Sequence, residues 1–441
     1  MHVSLDSALG RQRRLNSVGE SVLQIAPNAA AAYSLRSLTG GDPKVVRVRR
    51  KSDNAERDFT ASGVTSGALT SFVNEDVTIY QSDFSAGVNG FNATSTTTLT
   101  GNQDGVSDSA GTSKDNVLKV VKAADAQGYI QRDQGVVAGL TYTVSGSFLA
   151  LSANTSVDGI MIKDGLAGSS LSDYPSGYLV SDGTWKDFSF SYTAASDGNQ
   201  RVQLGISSLG NNPNSSSTGS SGDIVYIADL KFVETISNGF VETWYDQSGN
   251  SNDAVQETAG SQPKIVSAGN VLSGLDFDGS TSSRTLVAPS VTGLAGSLSI
   301  FSVSVRDATG NTVSLSNSSS GGRYFAIQEG GSTSVANPRN TASITVSDSV
   351  SGANRLTFAV TTGATSTSVG ANSSAVTTST SDYGDDFSGS HINQIAIGVL
   401  RTASPTGYFN GRINEILVYN SDQTDNRTAV ETNINSHYSL F

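Results

Sequence analysis

The sequence predicts an all-β protein of two β-sandwich (jelly-roll) domains, with a short N-terminal helical arm and a C-terminal helix. Three observations predict it. Glycine is abundant (46 of 441 residues), charged residues make up only 15%, and Ser, Thr and Asn dominate the polar positions, a composition typical of extracellular β sandwiches. Short alternating apolar/polar runs recur along the chain with turn residues between them. The run Trp244-Tyr245-Asp246-Gln247-Ser248-Gly249-Asn250 joins one of two tryptophans to a tyrosine, then turns on polar residues and glycine. It reads as a buried strand running into a tight loop. Asp246, Gln247 and Ser248 are placed to brace that loop by bonding backbone, and Gly249 to supply positive φ.

The N-terminal segment, 1–30, differs from the rest. Leu5, Ala8, Leu9, Gln12, Leu15 and Val18 fall near helical spacing, and Arg11, Arg13 and Arg14 form a basic cluster. Two readings fit: a terminal helix packed on its own domain, or an attachment arm that docks on another subunit. The second is the expectation taken here. In Val45–Ser52, Val46 and Val48 alternate with Arg47 and Arg49, which predicts a strand with one basic face, read as a solvated edge that discourages strand addition. Alternating runs follow at Gly128–Gln131, Tyr142–Phe148, Trp185–Tyr192, Val202–Ile206 and Ile224–Phe232, the spacing of a jelly roll. The stretch 207–222 is low in complexity. Gly274–Ser280 reads as strand and turn, Leu298–Val305 alternates, and Tyr408–Tyr419 reads as a late strand. The last helix is expected to start near Thr424 or Asp425, with Val430, Ile434 and Tyr438 on one face.

Composition narrows the function. A net charge of −12 argues against nucleic acid as a partner. With no cysteine there is no disulfide, thiolate nucleophile or Cys-ligated zinc. The three histidines (His2, His391, His437) have neither metal-site nor triad spacing. No apolar run reaches the roughly 20 residues that span a bilayer, so membrane insertion is not expected. Met1–Ser4 does not open like a secretory leader, and the expected location is a virion surface, reached by assembly and lysis.

Two resemblances add to this reading. The motif at 244–250, followed by Asp253-Ala254-Val255-Gln256 and preceded by Tyr33–Arg36 and Val46–Asn54, resembles concanavalin A/laminin-G-like sandwiches related to the catalytic domain of α-L-arabinofuranosidase B. Such modules also occur in phage virion proteins. In that resemblance Leu69–Val73 leads directly to the strand ending at Trp244; here about 160 residues intervene. The intervening Asp83–Phe91, Gly183–Ala194 and Tyr226–Glu234 resemble carbohydrate-binding modules of the family 4/9 type. The resemblances imply one sandwich (31–76 and 236–441) split by an inserted jelly roll (77–235), the first preceded by the arm (1–30).

They also imply chemistry. The arabinofuranosidase family needs two carboxylates about 5–5.5 Å apart. Yet the stretch matching its acid, Ile397–Ser404, has Arg401 and no carboxylate. Other candidates are Asp246, Asp253, Asp276, Asp278, Glu329, Asp385, Asp386 and Glu415; beside the catalytic reading stand loop bracing for Asp246, a turn or calcium binding for Asp276 and Asp278, and a solvent-facing or bracing role for Glu415. The binding modules imply carbohydrate stacking, for which Tyr129, Tyr174, Tyr178 and Trp185 are available. They also imply a possible structural calcium, with Asp83 and Asp229 in the corresponding places; no other cofactor is expected. The expected function is a non-enzymatic phage virion protein (tail fibre, tail tip or capsid decoration) that binds carbohydrate. It would join other virion proteins through the arm as a homo-oligomer, by analogy a trimer. The alternative is a glycoside hydrolase of the arabinofuranosidase type. A bacterial surface adhesin is a third reading.

Overall fold

The computed structural model describes residues 20–93, 97–122, 128–150, 159–163, 170–171, 183–206, 221–236, 238–279, 283–316, 324–330, 333–339, 342–347, 354–363, 366–380, 392–400 and 405–441. The chain divides into two compact units. One takes the residues up to Val73 together with Asn238–Phe441; the other is Asn74–Ser237.

The split unit is an antiparallel sandwich built around Asn410–Tyr419. Leu298–Ala308 pairs along one side of this strand, followed outward by Asn354–Thr362, Ser366–Ala371 and Thr377–Ser379. Two strands share its other side. Ala31–Ser34 pairs with residues 415–418, and Asn270–Asp278 pairs with 410–413. The second sheet runs Glu56–Thr60, Lys44–Arg50, Gly239–Trp244. Beyond Gly239–Trp244 lie Ala254–Val255 and Lys264–Ser267 together. The path continues from Ala254–Val255 through Leu286–Ala288, Gln394–Ile397, Gly310–Ser316 and Tyr324–Gly330. The hairpin between Lys264–Ser267 and Asn270–Asp278 links the two sheets. Trp244, Tyr33, Phe277, Phe325, Leu275 and Ile413 fill the space between them, all fully buried.

A second apolar layer covers the outer face of the spine. The C-terminal helix Arg427–Tyr438 and the short helix Val22–Ile25 bury Val430, Ile434, Val22 and Ala26 against Phe301, Phe358 and Tyr419. Residues 298–304 of the strand Leu298–Ala308 are therefore buried on both faces. Leu298 and Ile300 join the central core, while Phe301 and Val303 join the helix layer.

Several expectations change. The described end of the N-terminal segment is not a free arm: Val22, Ala26 and Ala29 are built into the split unit. Arg11, Arg13 and Arg14 lie outside the described residues. The arginine strand Lys44–Arg50 is not an edge, because it pairs on both sides. Arg49 is buried there, bonded to Gln262 Oε1 (2.7 Å) and Asn54 Oδ1 (2.8 Å), with its guanidinium over the Phe240 ring. The C-terminal helix is preceded by a 3₁₀ turn, Thr424–Asn426, and the side chain bonding that turn's backbone is Asp422, which accepts from Thr424 N–H at 2.9 Å.

The inserted unit is a second antiparallel sandwich. One sheet orders Lys186–Thr193, Thr141–Ala150, Ile224–Ile236, Val117–Lys122 and Thr97–Gln103. The other orders Ser170–Leu171, Gly159–Lys163, Gly198–Ile206, Gly128–Val136 and Asn92–Ala93. Phe84, Phe91, Tyr142, Phe148, Tyr192 and Phe232 belong to its core. Its first strand is Glu75–Gln81, which pairs with Ile224–Ile236. The junction thus falls after Val73 rather than at 76, because the paired first and last strands carry both chain ends into this unit.

Candidate functional site

The loop after Trp244 is a hub of backbone hydrogen bonds. Asp246 Oδ1 accepts from Ala32 N–H (2.8 Å) and Ser248 N–H (2.9 Å). Its Oδ2 accepts from Ser248 Oγ (2.7 Å) and Asn252 N–H (3.0 Å). Asp253 accepts from Asp246 N–H at 2.8 Å. Gln247 is buried: Oε1 accepts from Leu38 N–H (2.8 Å), and Nε2 donates to the carbonyls of Ser34 and Arg36 (3.0 Å each). Ser248 Oγ also reaches the Ala30 carbonyl at 3.5 Å. The loop therefore supplies partners to the backbone of 30–38, which would otherwise be buried unpaired.

The other candidate carboxylates face cations. Asp276 and Asp278 flank Phe277 and both pair with Arg284 (3.1 and 3.4 Å). Glu329 is buried, bonded to Arg355 Nη1 (2.8 Å) and Thr357 Oγ1 (2.9 Å). Glu415, expected to face solvent or to brace, is 1% exposed. It takes a two-pronged contact from Arg36, Nε at 2.7 Å and Nη2 at 2.9 Å, and also accepts from Ser34 Oγ (3.0 Å) and Tyr438 Oη (3.2 Å). Burial alone would lower the Arg36 pKa; the charge and hydrogen bond of Glu415 reverse this and raise it. Asp385, Asp386 and Arg401 lie outside the described residues.

The inserted unit holds the remaining sequence-derived residues. Tyr174 and Tyr178 lie outside the described residues, and Tyr129 is described only as backbone in Gly128–Val136. Trp185 precedes the strand Lys186–Thr193 rather than lying in it, and is half-buried. Lys114 Nζ stands 5.4 Å from its ring centroid, and its backbone N–H donates to Asp108 Oδ2 at 2.9 Å. Lys114 also pairs with Asp229. Asp83 instead accepts from Ser85 N–H at 3.1 Å, at the start of the 3₁₀ turn Phe84–Ala86. Each of these two carboxylates thus has its own partner. Among the described residues no group of three or more His, Cys, Asp or Glu could hold a metal ion.

The split unit carries a cleft that sequence reasoning missed. Its volume is about 990 Å³. Apolar walls come from Leu35, Val64, Val271 and Leu272, and polar groups from Arg36, Ser37, Asp42, Asn414, His437 and Tyr438. It opens where two strands share one side of the spine. Asn270–Asp278 last pairs at Ile413 and Ala31–Ser34 first pairs at Glu415, so Asn414 sits at the fork. It is also the extra residue of a bulge, since Val303 faces Glu415 and Ser304 faces Ile413. Asp42 is the one carboxylate in the described lining, bonded to Ser62 N–H (2.8 Å) and Oγ (2.6 Å). The Ser62 bonds hold its pKa below the ordinary value. His437 is exposed by surface area, but enough protein crowds its ring that desolvation, with Arg36 nearby, lowers the imidazole pKa. A second cavity of about 390 Å³ is walled by Asn28, Ser248, Asn250, Asn252, Thr292 and Asn420, with no carboxylate in its lining.

No protein-family model and no curated protein matches the chain. Among solved structures it is similar to the CBM40 domain of the Ruminococcus gnavus IT-sialidase bound to α2,3 sialyllactose (14% identity, TM-score 0.29, covering 36% of this chain and 92% of that one). It is similar to the CBM22-1 xylan-binding domain of Paenibacillus barcinonensis Xyn10C (10%, TM-score 0.27, 36% and 96%). It is also similar to the Streptococcus pneumoniae NanB sialidase (17%, TM-score 0.30, 35% and 26%). Likenesses of this size assign no ligand; the all-β sandwich architecture stands on the strand pairings themselves.

Proposed function

We propose that this protein is a non-enzymatic structural component of a phage virion whose β sandwiches bind carbohydrate. The observation that carries the binding half is the make-up of two cavities lined by described residues of the split unit. The larger has a mixed apolar and hydrogen-bonding lining with a single carboxylate, Asp42, and the smaller has none. A retaining glycosidase needs two carboxyl groups about 5–5.5 Å apart on one site. A binding site needs walls and oriented polar groups, which these cavities have. Of the candidate carboxylates outside them that the structure describes, Asp246 and Asp253 hold backbone and Asp276, Asp278, Glu329 and Glu415 meet arginine. The virion half is supported by the resemblance of the 244–256 motif to modules of phage virion proteins, and by a cysteine-free chain rich in Gly, Ser and Thr.

Retention on immobilised polysaccharides tests the binding half: the full chain is expected to be held on at least one and released by the free glycan. Absence of retention on any of a broad panel contradicts it. Particle incorporation tests the virion half. A variant lacking residues 1–19, which spares the core residues Val22, Ala26 and Ala29, is expected to keep its melting temperature and fail to join particles; normal incorporation removes the arm from the proposal.

A further inference from the structure

The cleft at the strand fork carries two polar groups that have no hydrogen-bond partner among the described residues. Asn414 is 0% exposed, and neither its Nδ2 nor its Oδ1 has a hydrogen-bond partner. Ser37 Oγ, also in the lining, is buried without one. An unpaired buried donor or acceptor is costly, so a chain that keeps both amide atoms of one residue unpaired stores affinity for a group that pairs them together. The fold holds this amide in place. Gly274 faces it, and a Cβ there would stand 2.6 Å from both Asn414 Oδ1 and the Ile413 carbonyl.

The surroundings narrow the ligand. A primary amide presents a donor beside an acceptor, and its closest complement is another amide that returns an acceptor and a donor. Leu35, Val64, Val271 and Leu272 offer apolar surface for a methyl group. The lining's guanidinium is already spent, since Arg36 is bonded to Glu415 and to Asn433 Oδ1 (3.0 Å). Asp42, with its lowered pKa, is negative at neutral pH and repels anions. The ligand is therefore not an anion, its acetamido group complements the amide, and it fits a space of about 990 Å³, enough for a short oligosaccharide.

We infer that this cleft binds a neutral N-acetylhexosamine-containing glycan, its acetamido group paired with Asn414 and its methyl against the Leu35/Val64/Val271 wall. Because Asn414 is shielded from bulk water, entry of that group includes a local opening of the lining. The inference rests on the carbohydrate-binding reading and names its site and sugar class.

The test is calorimetric titration of the full chain with N,N′-diacetylchitobiose, with cellobiose as the matched disaccharide lacking acetamido groups and an acetyl-diglycine amide as a peptide control. The chitobiose is expected to bind at least tenfold more tightly than either control. N414A is expected to weaken it at least tenfold. T65W, which puts bulk on an exposed lining residue away from the core, is expected to do the same with an unchanged melting temperature. Equal binding of cellobiose or of the peptide overturns the sugar class, and undiminished binding by T65W overturns the site. No chitobiose binding, with polysaccharide retention intact, overturns this inference and leaves the broader proposal standing. Loss of retention on every polysaccharide removes both.

Discussion

Asp246 shows what a single side chain does in this fold. Its two carboxylate oxygens accept from three backbone N–H groups and one hydroxyl, and two of those donors, Ala32 and Asn252, lie outside its own turn. Replacing it by alanine leaves those donors without a partner, and D246A is expected to destabilise the split unit by about 3–5 kcal/mol, read by thermal or urea unfolding. Glu415 and Arg36 act differently, as a nearly buried ion pair. Removing one partner strands a charge, so E415L alone is expected to cost about 3–5 kcal/mol, whereas E415L with R36M should cost clearly less than the sum of the two singles in a double-mutant cycle. The polar turn around Asp246 was legible, because Asp, Gln, Ser and Gly in that order have strong local turn chemistry. Burial of Glu415 was not: strand alternation places it beside Ile416, but the C-terminal helix that covers this face is more remote in its effect than any pattern of period two.

Among the elements, Lys44–Arg50 shows where pattern misleads. Its Val/Arg alternation is the same for an edge and for a central strand whose arginines find partners. Here Asp58 on the neighbouring strand collects Arg47 (2.8 Å), Lys44 (2.7 Å) and the Tyr245 hydroxyl (2.7 Å). These bonds, that from Arg47 first, hold the Asp58 carboxyl below its ordinary range against the opposing effect of burial. A depressed acid contributes stability above its unfolded pKa of about 4, and that contribution is lost as pH falls toward the folded value. D58N is therefore expected to lower stability at pH 7 by about 1 kcal/mol after screening at this partly exposed site, and to flatten the loss of stability below pH 4. Unfolding at pH 7 and pH 3 measures both. The spine strand depends on close approach at Gly411: its φ is +140°, and a Cβ there would lie 2.1 Å from the Val305 carbonyl. G411A is expected to cost several kcal/mol, on the order of 3, because the clash is with backbone. The same strand hides the cleft. A bulge at Asn414 and a change of neighbour at one residue leave no mark on alternation, so the sequence offered Tyr408–Tyr419 as an uninterrupted strand.

Across the whole molecule, two units are built on three apolar clusters, two in the split unit and one in the inserted unit, and the chain enters and leaves the inserted one at a single place. Val73 and Gly239 are adjacent in space: a Cβ on Gly239 would stand 2.9 Å from Val73 Cγ1. A chain in which a short Gly/Ser link replaces 74–237 is therefore expected to fold with a cooperative transition, since loop closure between near ends costs little. Loss of cooperative unfolding would show that the split unit depends on the insert. The division itself was legible because the motif at 244–250 and its partner segment near 33–54 have a distinctive composition, while the inserted strands have their own spacing. The boundary shifted by a few residues, as Glu75–Gln81 alternates without saying which strand it joins. In the proposed function these sandwiches hold carbohydrate without cutting it. The most direct test incubates the purified full chain with arabinosides and polysaccharides and follows products by mass spectrometry alongside binding. Glycan retained and recovered at its original length is the expected result; release of shortened sugar that a single carboxylate substitution abolishes would contradict the account.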